Sequence, residues 1–271
     1  MSRDLLAGMT AATLLVVQLT ASVATLLAMS HAHPPWRLRS RAFAQASSFG
    51  VLEPGLTFAL GLAGLSLTTA GSASVIGATE PLLIVALSWI LYGQVPARRL
   101  LICIGVAVIG LGLVSSEAWS GTAGSSRTGN LLILLGTSFA ALYVVLSSRV
   151  AADFPAASLA AGQQAVGLLF AIIVFGTLQA FGLDRQDWHA LAWPQIGYAA
   201  LSGVVQYALA FWLYLVGLKS VSANAAGLWL ALVPLFGVSG AYVWLGEVPT
   251  VAMLAGAGLI VGSVAAYQRR P

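Results

Sequence analysis

Charge is what this sequence has least of. Lys, Arg, Asp and Glu together make up 7% of its 271 residues, whereas a soluble globular domain carries about 25%. A water-soluble globule is thereby excluded, and there is no room for a sizeable soluble domain beside the apolar segments. The charges that exist stand singly between apolar blocks, so the net charge of +4 forms no clustered basic face of the kind nucleic-acid binding requires. Cys103 is the only cysteine, so no intrachain disulfide can form; inside an apolar run it reads as a small core residue. The three histidines, His31, His33 and His189, lie between the apolar segments. Neither His-Glu-x-x-His nor Gly-x-Ser-x-Gly occurs, and the Gly-x-x-x-x-Gly-Lys loop that cradles nucleotide phosphates is missing. We therefore expect no metal, no cofactor, no catalytic residues and no nucleotide-driven step.

What remains is apolar: 59% of the chain is hydrophobic. A helix crossing a hydrocarbon core of about 30 Å needs roughly 20 apolar residues, and the chain divides into nine segments of that order, 5–29, 42–65, 71–92, 100–116, 129–148, 156–181, 193–217, 223–245 and 251–267. Each is expected to be helical, because lipid offers no other partner for the backbone short of a closed barrel, and the alternation of a barrel strand is absent. The stretch 117–128 is rich in Gly, Ser and Thr and reads as a linker. The first segment is too long for a signal-peptide core, and its positive charge follows it instead of preceding it, so cleavage is not expected.

Positive residues are retained on the cytoplasmic side. With nine spans and an outside N-terminus, Arg37, Arg39, Arg41, Arg98, Arg99, Arg149, Lys219, Arg269 and Arg270 fall inside, and Arg3, Arg127 and Arg185 outside. The C-terminus is then cytoplasmic. Trp36, Trp119, Trp188 and Trp193 lie at segment ends, the depth that interfacial tryptophans prefer. Eleven arginines to one lysine suggest a GC-rich, bacterial coding sequence, and hence a bacterial inner membrane.

Shifting the chain by 153 residues aligns 58–108 with 211–261 without a gap, with 17 of 51 positions identical. The matches include Gly64 with Gly217, Ala70 with Ala223, Pro81 with Pro234, Gly93 with Gly246, Val95-Pro96 with Val248-Pro249 and Gly105 with Gly258. Under the expected topology the two copies are inverted in the membrane, an architecture that recurs in secondary transporters.

The stretch 58–114, with Ala70, Glu80-Pro81, Gly93 and Gly105, and the second copy with Pro234, Gly246-Glu247 and Gly258, resembles the drug/metabolite transporter superfamily, in particular its EamA-type branch. The resemblance implies an all-α integral membrane protein of two inverted five-helix halves that moves small metabolites or drugs across the cytoplasmic membrane. Here the pattern is four plus five, nine transmembrane helices with the first family helix lacking. The first repeat covers 1–116, the linker 117–128 and the second repeat 129–271. The family's Gly-Glu at the end of its fourth helix is Gly93-Gln94 in this chain. The function expected is a secondary transporter of a small metabolite, amino acid or drug working by alternating access, an exporter with proton coupling being one form. The alternatives are a non-transporting or truncated membrane protein and, behind that, a membrane-embedded enzyme. Expected partners are a small-molecule substrate and membrane lipid, with no nucleic acid; Gly258 and Gly262, beside Ala252 and Gly256, have a spacing for close helix packing within the monomer or in a homodimer.

Ionisable groups inside a membrane cost about 2.5–3.5 kcal/mol at mid-helix and are functional candidates by default. Glu53 and Glu80 are the two, each preceding a proline. The 153-residue shift sets Gln206 opposite Glu53 and Val233 opposite Glu80. Gly50, Glu53, Thr57, Gly61 and Gly64 share a helix face, as do Gly203, Gln206, Ala210, Tyr214 and Gly217; Ala73, Gly77, Glu80, Ile84 and Ser88 form a third stripe. Two readings stand for the carboxyls: one binds a proton or a cationic amine, or both serve helix kinks at Pro54, Pro81 and Pro234. Tyr207, Tyr214 and Trp229 are candidate stacking or cation-π contacts, with packing as the alternative. Gln18, Gln163, Gln164 and Asn224 are either pathway groups or interhelical hydrogen-bond partners.

Overall fold

A computed structural model describes residues 8–38, 40–68, 79–114, 126–183, 191–232 and 250–268, with residues 5, 73, 76, 77, 186 and 236. Residues 117–125 of the expected linker, Trp119, Trp188 and Pro234 lie outside these. Among the described residues all regular structure is helical: α1 (Ala11–Met29), α2 (Arg41–Ser48), α3 (Thr57–Leu67), α4 (Glu80–Tyr92), α5 (Arg98–Val114), α6 (Arg127–Val150), α7 (Ala156–Ala180), α8 (Trp193–Gly203), α9 (Ala210–Leu218), α10 (Ala223–Leu230) and α11 (Val251–Gln268). Five stretches among them are long and apolar enough to cross a membrane: Ala11–Met29, Arg41–Leu67, Arg127–Val150, Ala156–Ala180 and Trp193–Leu218. The chain is thus an all-α membrane protein.

The helix starts follow local chemistry. Thr10, Ser40 and Ser222 accept hydrogen bonds from the backbone N–H groups of Thr13, Phe43 and Ala225, replacing partners that a first turn lacks. Ser126 accepts from the Gly129 N–H at 3.4 Å, so α6 begins within the stretch expected as linker. Gly93 ends α4 with φ +64°, a left-handed conformation natural to glycine.

The helices group into two compact units, residues 1–62 with 146–220 and residues 63–145 with 221–271. In the first, α1 packs on α7 and α8, while α2 and the turn that follows it pack on α7. Its core is held by buried amides. Gln18 Nε2 donates to Ser202 Oγ at 2.8 Å, Gln163 Nε2 to the Ala46 carbonyl at 3.1 Å and Ser147 Oγ at 3.2 Å, and Ser22 Oγ to Gln164 Oε1 at 3.3 Å. Three of the four polar residues singled out in the sequence are therefore interhelical partners, each such bond contributing about 0.6 kcal/mol.

In the second unit α5 packs along α11. Leu100, Cys103, Ile104, Ala107 and Leu111 meet Ile260 and Val264 in a core shared with Val85, Leu228 and Ala231. The close backbone approach uses Gly110 and Gly256: a methyl group on Gly110 would fall 2.7 Å from the Gly256 carbonyl oxygen. Gly258 and Gly262 meet nothing within 4 Å, so of the small residues on α11 it is Gly256 that seats α5. Thr68 Oγ1 joins Asn130 Oδ1 at 2.6 Å, and the Arg99 guanidinium donates to the Ala266 carbonyl.

Candidate functional site: paired helix breaks in the first unit

Among the expected apolar segments, 42–65 and 193–217 each carry an interruption within the span. Between α2 and α3 the chain passes through a tight turn, Phe49–Val51, and then a kink within Leu52–Leu56, where Glu53 leaves helical geometry. Between α8 and α9 it passes through a π-helical turn, Val204–Leu209. The 153-residue shift carries 52–56 onto 205–209, so the two breaks occupy equivalent positions in the repeat. Both belong to the first unit. π turns inside α-helices, of which Val204–Leu209 is one, concentrate at functional sites.

Glu53 sits in the first break, with φ −142° and ψ 121°. An extended backbone is what a residue before proline prefers, because the pyrrolidine ring collides with a helical predecessor. Pro54, as expected, is where the helix departs from regularity, and it is buried. Thr57 Oγ1 donates to the Leu52 carbonyl at 2.9 Å, so the hydroxyl placed on the Glu53 face by spacing stitches the break itself. Gln206 lies inside the second break, which has no proline.

Each break begins just beyond a pinned glycine. A methyl group on Gly50 would fall 1.8 Å from the carbonyl oxygen of Gln163, and one on Gly203 would fall 2.2 Å from that of Gln18. Gly50 and Gly203 are repeat equivalents, and the contacts cross over: the glycine of the first half rests on a glutamine of the second, and the reverse. At such an approach only a residue without Cβ fits.

Tyr207 follows Gln206 and is 3% exposed. Its ring meets Phe58 edge-on, centroids 4.7 Å apart, and Phe58 lies 6.3 Å from Phe211. The ring thus packs against Phe58. Tyr214 is half-buried on α9. The structure therefore gathers Glu53, Gln206 and Tyr207 around the breaks of one unit.

Glu80 and Trp229 belong to the second unit. Glu80 opens α4, with Pro81 in its first turn, where the missing N–H of proline costs nothing. Helix α10 packs on α4, with Gly227 against Ile84. Ser88 Oγ and Asn224 Oδ1, on these two helices, are buried and meet no hydrogen-bond partner among the described residues. Trp229 is 42% exposed.

Reading by spacing found Glu53 and its glycine face but missed Ser147 and Ser202, which look like ordinary small residues until α6 and α8 bring them to the glutamines. The π turn at Val204–Leu209 has no sequence mark of its own beyond its register with Pro54.

An all-helical chain with buried amide clasps and paired interruptions in its spans is of the class of helical membrane transport proteins. The model of the EamA-like transporter family matches residues 1–116 and 127–267, and the chain belongs to that family. It is 26% identical over 206 residues to a protein of Bacillus subtilis (strain 168) named as the uncharacterized transporter YetK; the match takes in 75% of this chain and 61% of that protein. The chain thus spans less than two thirds of the length of that relative. A solved crystal structure superposes with a TM-score of 0.74 at 18% identity, covering 94% of this chain and 86% of the other, a likeness of fold alone.

Proposed function

We propose that the chain is a secondary carrier that moves a small metabolite, amino acid or drug by alternating access, with its two repeats inverted in the membrane as four plus five helices. The observation that carries this reading is the pair of helix breaks at equivalent repeat positions, Glu53 in one and Gln206 in the other. A carrier needs two related gates around one site, and interrupted helices at matched positions supply them. Glu53 is the group that exchanges a proton or engages a cationic amine, since a carboxyl at membrane depth is retained at a cost. Glu80 and Trp229 are further pathway groups on the second unit. The N-terminus faces outward and the C-terminus the cytoplasm, as the arginine distribution requires, and export coupled to proton entry is the direction proposed.

Counterflow of a panel of amino acids and amines into liposomes holding the purified protein tests this. Wild type should accumulate at least one of them, and Glu53→Gln should lower that flux at least tenfold and flatten its dependence on pH. Normal flux with normal pH dependence in the variant would leave Glu53 a structural role only.

A further inference from the structure

The first unit has a cationic end. Three contacts fasten its loops there: Ser158 Oγ donates to the His33 carbonyl, Phe43 meets Phe154 edge-on at 5.3 Å, and Lys219 Nζ donates to the Phe154 carbonyl at 2.8 Å. These contacts bring together three connections far apart in sequence, at which Arg37 and Arg41, Arg149, and Lys219 stand, all exposed. Asp153 is the one carboxylate among the described residues of these loops, so the end is strongly positive. Trp36, next to Arg37 in the turn Pro35–Arg37, is 58% exposed.

We propose that this end is a binding surface for the headgroups of anionic phospholipids. Depth favours a lipid over a free anion. Arg41 is the first residue of the span Arg41–Leu67, Arg149 the last but one of Arg127–Val150, and Lys219 directly follows Trp193–Leu218. All three therefore stand where hydrocarbon gives way to headgroups, and an exposed tryptophan prefers that same layer. Lys219 uses one of its three donors on Phe154, which fixes its place, and two remain for a phosphate. The cations lie on an open rim, which suits a phosphodiester held by its own acyl chains better than a small anion that needs walls. Each cation near an anionic surface strengthens attachment about fivefold.

The test uses the full chain, purified and delipidated in detergent, with binding read from tryptophan fluorescence and thermal stability in the absence of any transported solute. Short-chain phosphatidylglycerol should bind and raise Tm; phosphatidylcholine and inorganic phosphate at the same concentration should not. Arg37→Gln combined with Arg41→Gln should weaken phosphatidylglycerol about 25-fold if the two add. Lys219→Arg, which keeps the charge, and Arg127→Gln, at the start of another span, should leave it unchanged. Equal stabilisation by phosphatidylcholine, reproduction of the effect by inorganic phosphate, or wild-type affinity in the double variant would each overturn the proposal. Because no transport is measured, the result is independent of the carrier reading.

Discussion

Replacing Gly203 by alanine should separate α8 from α1, and the size of the effect follows from the contact. The added methyl would fall 2.2 Å from the Gln18 carbonyl oxygen and 2.7 Å from its Cα. Both are backbone atoms, so no side chain can swing away. Ordinary contact begins near 3.4 Å, so the helices must part by roughly 1.2 Å at this point. The 2.8 Å bond from Gln18 Nε2 to Ser202 Oγ would then stretch beyond hydrogen-bonding reach. Overpacking costs about 1–3 kcal/mol and the lost bond about 0.6 kcal/mol more. At roughly 2–4 °C per kcal/mol for a chain of this size, Tm should fall by about 3–14 °C. Thermal unfolding in detergent, followed by intrinsic tryptophan fluorescence, measures it. The control is Gly217→Ala on α9, where a methyl group meets nothing within 4 Å and helix propensity favours alanine by up to about 1 kcal/mol. An unchanged Tm in Gly203→Ala, or an equal fall in Gly217→Ala, would refute the reasoning.

Gln163→Leu removes the donor shared by the Ala46 carbonyl and Ser147 Oγ; with a buried acceptor left unpaired it should cost about 1–3 kcal/mol and lower Tm in the same assay, with Gln163→Glu no better a substitute because it lacks the amide donors. Cys103 is 5% exposed within the α5–α11 core, so a maleimide should label the native protein at a small fraction of the rate seen after thermal unfolding; rapid labelling of native protein, followed by mass spectrometry, would show that the core opens there.

Much of this protein follows from its composition. With so few charges and so many apolar residues, the chain has no stable folded state in water, and within lipid an unpaired backbone leaves helices as the answer. The interruption at Glu53-Pro54 was legible for an equally local reason, since proline restricts the residue before it. The register of 153 residues was legible too, and it sets Gln206 opposite Glu53. Other features had no local cause. Gln18 and Gln163 read equally well as pathway groups or as hydrogen-bond partners, because an amide has the same chemistry in either place. Only packing decides which neighbour it reaches. Tyr207 illustrates the same limit: its spacing allowed a stacking contact or packing alike, and only the fold brings Phe58 edge-on to its ring.

The sequence by itself determined the environment, the helices, the repeat and the position of the first break, because each depends on composition or on residues adjacent in the chain. The tertiary structure alone decided that Gly50 rests on Gln163 and Gly203 on Gln18, that the second break exists without a proline, and that four cations from three separate connections share one end of a unit. Those facts depend on residues more than a hundred positions apart coming within a few ångströms, and no periodicity along a single helix carries that information.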